Sequence, residues 1–371
     1  MKKFICFFFT AFSISFWAKA EDVPTLPIGS SAPDFQLLGV DGKEYSLSSF
    51  KDAKVLVVLF TCNHCPTAQA YEDRVQALVN TYGSKGVSLV AISPNADKAV
   101  RFDELGYTDL NDSYAEMQTR AKDKNFTYPY LYDGETQSTA RAYGPIATPH
   151  AFVFDQNRRL QYTGRIDDDE HPGKEKTHEL ADAIDAVLSG KTPDIQTTKV
   201  FGCSVKWLSK EASKNAEVES WAKEPVSVQE IDTQGIKTLL MGDKAEGKFR
   251  LINVWATWCG PCVAEFSGLT ETDKMYRNRD FEFITISADE PESKDKVQRF
   301  LTKKYASNIN YLYTGGSKYD LIEAIDPAWA GALPYTVLLS PEGKKIYTQM
   351  GEVNIQELRK AVVEQLGRFY K

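Results

Sequence analysis

The sequence predicts an α/β protein built as two similar domains in tandem, joined by a helical connector. Three observations carry this. An unbroken apolar run leads into a Cys-x-x-Cys pair twice, Val55 to Phe60 before Cys62 and Cys65, and Leu251 to Val254 before Cys259 and Cys262. After each pair the apolar residues recur at helical spacing, Tyr71, Val75, Leu78 and Val79 in the first half and Val263 to Met275 in the second. Each half later places a proline at the head of another buried run, Pro149 and Pro334, at 87 and 75 residues from the first cysteine of its pair. The same elements in the same order point to a repeated domain rather than a solenoid.

The first twenty residues stand apart from these domains. Lys2 and Lys3 make a basic start, Phe4 to Trp17 a short, largely apolar stretch, and Ala18-Lys19-Ala20 a cleavage site of small residues, so residues 1–20 are expected to be a secretory signal. The apolar stretch is shorter than the roughly 20 residues a spanning helix needs. Without its three lysines the formal charge of −7 becomes −10, which gives no electrostatic reason to bind nucleic acid or an anionic membrane. Cys6 leaves with the signal. Four of the five remaining cysteines form two close pairs, a usage that suggests catalytic rather than structural sulfur in an exported protein, with a bacterial periplasm as the expected compartment.

The first domain is expected over residues 21–197. Ala32-Pro33-Asp34-Phe35 leads into a hairpin turning at Asp41-Gly42, then Tyr45 to Leu47 and a short helix. Val55 to Phe60 lacks alternation, as a central strand covered on both faces should. Val87 to Ser93 reads as a strand, followed by a polar, partly helical insertion to about Lys124, a weak strand at Tyr128 to Tyr132, and a helix from Thr136 to Tyr143 ending at Gly144. Pro149 cannot donate a ladder hydrogen bond, so a proline heading the next strand marks a special site. Asp155-Gln156-Asn157 turns into a final strand, and Leu180, Ile184, Val187 and Leu188 give the closing helix its apolar face.

Residues 198–225 read as a connector containing Cys203, with Trp207 and Trp221 on one possible helix face, packed on a domain. The second domain, 226–371, repeats the pattern. After the cysteine pair come a strand at Phe281 to Ser287, a helix at Lys294 to Tyr305, the strand after Pro334, a hairpin at Pro341-Glu342-Gly343, a strand at Lys345 to Met350 and a final helix marked by Leu358, Val362, Leu366 and Phe369.

A cysteine at a strand-to-helix turn faces unpaired N–H groups and the positive end of the helix dipole, which favour thiolate over thiol. A thiolate attacks disulfides, and a second sulfur one turn away can displace the partner and close an internal disulfide. Zinc wants four ligands, and the second half offers no other close Cys or His pair.

The run Trp255-Ala256-Thr257-Trp258-Cys259-Gly260-Pro261-Cys262, with Trp329 to Pro334, resembles the thioredoxin superfamily and in particular its exported TlpA-like thiol:disulfide oxidoreductases. The opening from Ala32 to Leu47 resembles redoxin and peroxiredoxin-like domains. The resemblance implies two thioredoxin-like folds, each a central mixed sheet flanked by helices. It implies Cys259 as attacking thiolate, Cys262 as resolving thiol, Trp258 covering the pair, and Gly260-Pro261 as the loop of reducing thioredoxins, whose potential is about −270 mV. It further implies cis prolines at 149 and 334, with the backbone of Thr148 and Leu333 available to an extended substrate. Asn253 stands where classical thioredoxins carry a buried aspartate, which makes Glu265 the substitute proton carrier or else a solvated helix residue. Ser267 replaces a helix-kinking proline.

In the first pair, Asn63 and His64 lie between Cys62 and Cys65. A protonated His64 would stabilise the reduced form and make this couple the stronger oxidant, whereas an exposed His64 would have little effect. Cys203 is either a third redox sulfur or a buried inert thiol. The expected function is thiol:disulfide exchange on cysteine-containing protein substrates, fed by a membrane or exported thiol donor, with no cofactor beyond the disulfides and no resident metal. The alternatives are a thiol peroxidase, with Cys65 where peroxiredoxins place their attacking cysteine, and copper or zinc binding by Cys62, Cys65 and His150. Nothing in the sequence fixes the oligomeric state.

Overall fold

The computed structural model describes residues 23–241 and 246–369. The expected signal, residues 1–20, lies outside the described residues. The first domain runs β1 (Gln36–Gly39), β2 (Glu44–Ser46), β3 (Val55–Phe60), α1 (Pro66–Tyr82), β4 (Val87–Ser93), α2 (Tyr114–Asp123), β5 (Tyr130–Tyr132), α3 (Ser138–Tyr143), β6 (Ala147–Thr148), β7 (His150–Phe154), β8 (Leu160–Gly164) and α4 (Glu179–Leu188). Its seven-stranded sheet has the order β2-β1-β5-β4-β3-β7-β8. β3 lies parallel to β4 and antiparallel to β7, and all six of its residues are buried. Side chains alternate across a strand. Accordingly Val55, Val57 and Leu59 pack under Tyr71, Val75, Leu180 and Ile184, while Leu56, Val58 and Phe60 face Phe50, Tyr143, Val205 and Trp207.

Next come β9 (Cys203–Ser204), α5 (Glu211–Trp221), β10 (Gln229–Ile231), α6 (Thr233–Leu240), β11 (Phe249–Trp255), α7 (Gly260–Tyr276), β12 (Phe281–Ser287), α8 (Lys294–Lys303), β13 (Ile309–Tyr313), α9 (Lys318–Ile325), β14 (Tyr335–Leu339), β15 (Lys345–Met350) and α10 (Ile355–Leu366). The second sheet has the order β10-β13-β12-β11-β14-β15. β11 repeats the role of β3, parallel to β12 and antiparallel to β14. Both halves are thus the same thioredoxin-like arrangement of a mixed sheet between helices.

Three parts differ from the sequence expectation. The stretch expected to begin the connector belongs to the first domain: Val205 and Trp207 are buried in its core, and β9 pairs with β6 as a two-stranded ribbon. Trp207 precedes the helix that Trp221 ends, so the two share no helix face, although both pack on the protein. The polar insertion after β4 is the seam between the domains. Its Val100 and Leu105 are buried with Leu269, Met275 and Tyr276 of the second domain. There Tyr276 donates its hydroxyl proton to the Thr108 carbonyl at 2.7 Å, Arg279 donates to the Gly106 carbonyl at 2.8 Å, and Arg368 pairs with Asp109 at 2.5 Å. No helix among the described residues is long and apolar enough to cross a membrane.

Candidate active sites

The two cysteine pairs sit at matching turns, after β3 and after β11, but the helices behind them start at different points. Pro261 lies between Cys259 and Cys262, and α7 begins directly after Cys259, which is its N-cap. Pro66 follows Cys65, so α1 begins after the second cysteine and Cys65 is the N-cap there. Proline is favoured in a first helical turn because its missing N–H has no helical partner to lose.

In the second domain Cys259 and Cys262 form a disulfide, and the Cys262 N–H donates to the Cys259 sulfur at 3.3 Å. Cys262 is fully buried, and Cys259 borders a groove of about 300 Å³ lined by Trp258, Ala288, Ile322, Trp329 and Leu333. Trp258 lines the same groove as Cys259. It is 61% exposed, flanks the groove, and carries the Lys318 ammonium 5.5 Å above its ring. The Leu333–Pro334 peptide is cis, and no strand among the described residues pairs with Leu333.

Glu265 is a buried residue, not a solvated one. Its carboxylate accepts from Asn253 Nδ2 at 3.0 Å and from the Val353 N–H at 2.7 Å. Burial pushes its pKa up to about 6, against those two hydrogen bonds. Asp289, which the sequence reading missed, fixes the turn before Trp258 by accepting from the Thr257 N–H at 2.8 Å and from the Thr257 hydroxyl at 2.5 Å.

In the first domain Cys62, Cys65 and Cys203 lie together outside any disulfide, with Cys62 and Cys65 buried and Cys203 partly exposed. The Cys62 sulfur lies 3.1 Å from Thr148 Oγ1. The Cys65 sulfur accepts the Cys203 N–H at 3.3 Å and, as a thiol, donates to the Thr148 carbonyl at 3.2 Å. His64 is buried and bonded through Nδ1 to Asp112 Oδ2 at 2.6 Å. Asp112 also accepts from the backbone N–H groups of Asn63 and His64 and from Asn95 Nδ2. This residue too was missed, since a lone Asp in a polar insertion carries no signal of its position.

Burial opposes the charge on His64, but Asp112 outweighs it and holds the imidazole above its ordinary pKa, while His64 holds Asp112 below the usual carboxylate range. The two first-pair sulfurs then diverge. Burial pushes the Cys62 thiol well up. Burial acts on Cys65 in the same direction, but hydrogen bonds from Cys203 and Cys62 and the charge of His64 carry it well below the usual thiol range. In the first pair it is therefore Cys65, the residue at the helix N-cap, and not Cys62 that carries the lowered pKa.

His150 does not join the cysteines as a metal ligand. Its Nδ1 accepts the Ile146 N–H at 3.2 Å, its Nε2 lies 2.9 Å from Thr163 Oγ1, and burial pushes its pKa down to about 3. Cys62, His64 and Asp112 do place potential ligand atoms within 4.8 Å of one another, but the four hydrogen bonds already made to Asp112 occupy its oxygens.

Known proteins agree with this architecture. The family model described as Redoxin matches residues 27–184 and 222–365, one stretch in each half. Among characterised proteins the chain is similar to thiol-disulfide oxidoreductase ResA of Bacillus subtilis (strain 168), 31% identical over 120 residues that make up 32% of this chain and 62% of the relative. It is also similar to ResA of Bacillus cereus, 30% identical over 136 residues, 37% of this chain and 73% of the relative. The chain thus spans less than two thirds of the length of the B. subtilis protein. Among solved structures, a hypothetical protein of Sinorhizobium meliloti 1021 is 33% identical and covers 50% of this chain and 96% of its own, with a TM-score of 0.44. An uncharacterized conserved protein of Geobacillus kaustophilus is 34% identical, covers 49% of this chain and 92% of its own, and has a TM-score of 0.43. With both halves matched by one model over most of the chain, the chain belongs to the Redoxin family, as a tandem of two thioredoxin-like domains.

Proposed function

We propose that the chain is an exported thiol:disulfide oxidoreductase whose second domain reduces disulfides in extended, cysteine-bearing protein segments. The observation that carries this reading is the placement of Cys259 as helix N-cap at the edge of an apolar groove, beside the open backbone of Leu333, with Cys262 buried one turn behind. An apolar groove next to an unpaired backbone edge suits an extended peptide, which gains main-chain hydrogen bonds and side-chain pockets together. Cys259 attacks the substrate disulfide. Cys262 then displaces the substrate, its proton passing to the carboxylate of Glu265, and a membrane or exported dithiol restores the pair. The chemistry needs no cofactor beyond the disulfides. Export, to a bacterial periplasm, is supported by the residues 1–20 pattern and by the cysteine usage.

A Cys262→Ser variant of the full chain should accumulate mixed disulfides with its substrates, and Cys259→Ser should abolish insulin reduction. Insulin reduction unchanged by Cys259→Ser would end this reading. The lowered pKa of Cys65 favours a second reading, thiol peroxidation at the first site. Peroxide consumption by a Cys62→Ser variant would support it, and none would dismiss it.

A further inference from the structure

The first site differs from the second in one respect that its chemistry must accommodate. The edge beside Leu333 is open, whereas the corresponding edge beside Thr148 is filled by the chain itself. β9 lies antiparallel to β6 with Thr148 opposite Cys203 and Ala147 opposite Ser204. In that register the Cys203 N–H reaches the Cys65 sulfur at 3.3 Å, so backbone pairing sets the third cysteine directly against the pair. The approach is tight. Gly202 has φ +134, and a methyl group built on it would meet the Thr148 carbonyl oxygen at 2.1 Å.

The segment is also pinned from behind. The Lys206 N–H donates to Asn95 Oδ1 at 2.8 Å, the Lys206 carbonyl accepts from the Ala96 N–H at 3.0 Å and from Gln137 Nε2 at 3.0 Å, and the Leu208 N–H donates to Gln137 Oε1 at 2.7 Å. Asn95 bonds Asp112 as well, so one side chain ties this strand to the loop that carries His64. Beneath the strand Cys62 is 3% exposed and Cys65 is 0% exposed. Cys203 is partly exposed and lines a cavity of about 560 Å³ with Thr67, Phe201 and the loop from Asp168 to His171. An incoming sulfur therefore meets Cys203 before it can meet either member of the pair.

The geometry points to Cys203 as the entry sulfur of the first site, held on an internal strand in the place of a substrate peptide and passing electrons between an external dithiol and the buried Cys62–Cys65 couple. This rests on the reading of Cys62 and Cys65 as a dithiol/disulfide couple. The Cys203 thiol first gives up its proton. Its thiolate attacks the Cys65 sulfur of the oxidised pair, the Cys65–Cys203 bond forms as the Cys62–Cys65 bond breaks, and Cys62 leaves with the electron pair and takes up a proton. An external dithiol then attacks the Cys203 sulfur and Cys65 leaves as the thiolate. The second sulfur of the dithiol displaces Cys203, which regains its proton. The dithiol ends as a disulfide, and Cys62 and Cys65 end reduced with its two electrons.

The test uses the full chain with Cys259→Ser and Cys262→Ser, which silence the second site. Adding Cys62→Ser and oxidising with diamide should join the tryptic peptide Val55–Arg74 to Val200–Lys206 through a Cys65–Cys203 disulfide. The further change Gly202→Ala keeps all the sulfurs but displaces the strand, and should abolish that cross-link. With Cys62 present, Cys203→Ser should slow reduction of the Cys62–Cys65 disulfide by dithiothreitol about tenfold or more, since the attacking thiol must then reach a buried sulfur. Absence of the cross-link, or an unchanged reduction rate, overturns the relay. If the Cys203→Ser protein forms no Cys62–Cys65 disulfide at all, the underlying couple fails instead, so the two failures are told apart.

Discussion

Pro66 and Pro261 occupy different places relative to their cysteine pairs, and that difference decides which sulfur sits at the helix mouth. At Cys65 the helix terminus, the His64 charge and the Cys203 and Cys62 hydrogen bonds act together. The thiolate absorbance of the reduced first site at neutral pH should therefore survive Cys62→Ser and vanish in Cys65→Ser. The buried His64–Asp112 pair carries a pH signature. His64 is raised above its ordinary 6.5, so its contribution to stability is complete below 6.5 and fades as pH rises through its folded value. Asp112 is lowered, so its contribution is complete above its ordinary 3.8 and fades as pH falls through its folded value. Asp112→Asn should cost roughly 3–5 kcal/mol in urea unfolding near pH 6, by leaving the imidazolium buried without its counter-charge.

Glu265 behaves oppositely. It is raised from 4.5 to about 6, so the folded state holds its proton more tightly and loses stability as pH climbs across that interval. Glu265→Gln should remove this pH dependence from the unfolding curve. It should also slow insulin reduction on the order of 10²-fold above pH 6, with the limb near pH 6 gone from the rate profile. A purely structural role would leave that limb in place.

Among the elements, the segment that follows α4 is the least expected. A short strand that buries two of its neighbours, Val205 and Trp207, in the first core does the work of a lid without being one of the sheet's own strands. Trp207→Ala should cost about 3–5 kcal/mol. It should also make Cys65 accessible to alkylation in the native protein, which mass spectrometry after a brief reagent pulse would show. Native Cys65 that stays protected in this variant would mean that the strand holds its place without the indole.

At the scale of the whole molecule the two domains share a seam rather than a tether. Val100 and Leu105 enter the second core, and Tyr276, Arg279 and Arg368 bond the loop from Gly106 to Asp109. Calorimetry of the full chain should show one unfolding transition, and Val100→Ser with Leu105→Ser should split it in two, since buried apolar contact couples domains more strongly than a flexible linker. The first couple should be the more oxidising, by tens of millivolts in a glutathione titration of each pair with the other replaced by serine, because a stabilised thiolate stabilises the reduced form. Equal potentials would mean that the charged His64 beside Cys65 does not set the potential of the first couple.

Local chemistry determined much of this protein from its sequence alone. Val55 to Phe60, Val87 to Ser93 and Phe281 to Ser287 are strands with the bounds their composition indicated, and both cysteine pairs and both prolines lie at the turns their neighbours implied. Such features depend on residues close in the chain. Short elements with mixed faces, β10, α6, β13 and α9, were not legible, because their apolar residues gain meaning only against a partner surface. The same limit applied to the sites. Asp112 reaches His64 across 48 residues and Cys203 reaches Cys65 across 138, so only the folded chain could say which cysteine is acidic, which carboxylate charges the histidine, and that the odd sulfur closes the first site.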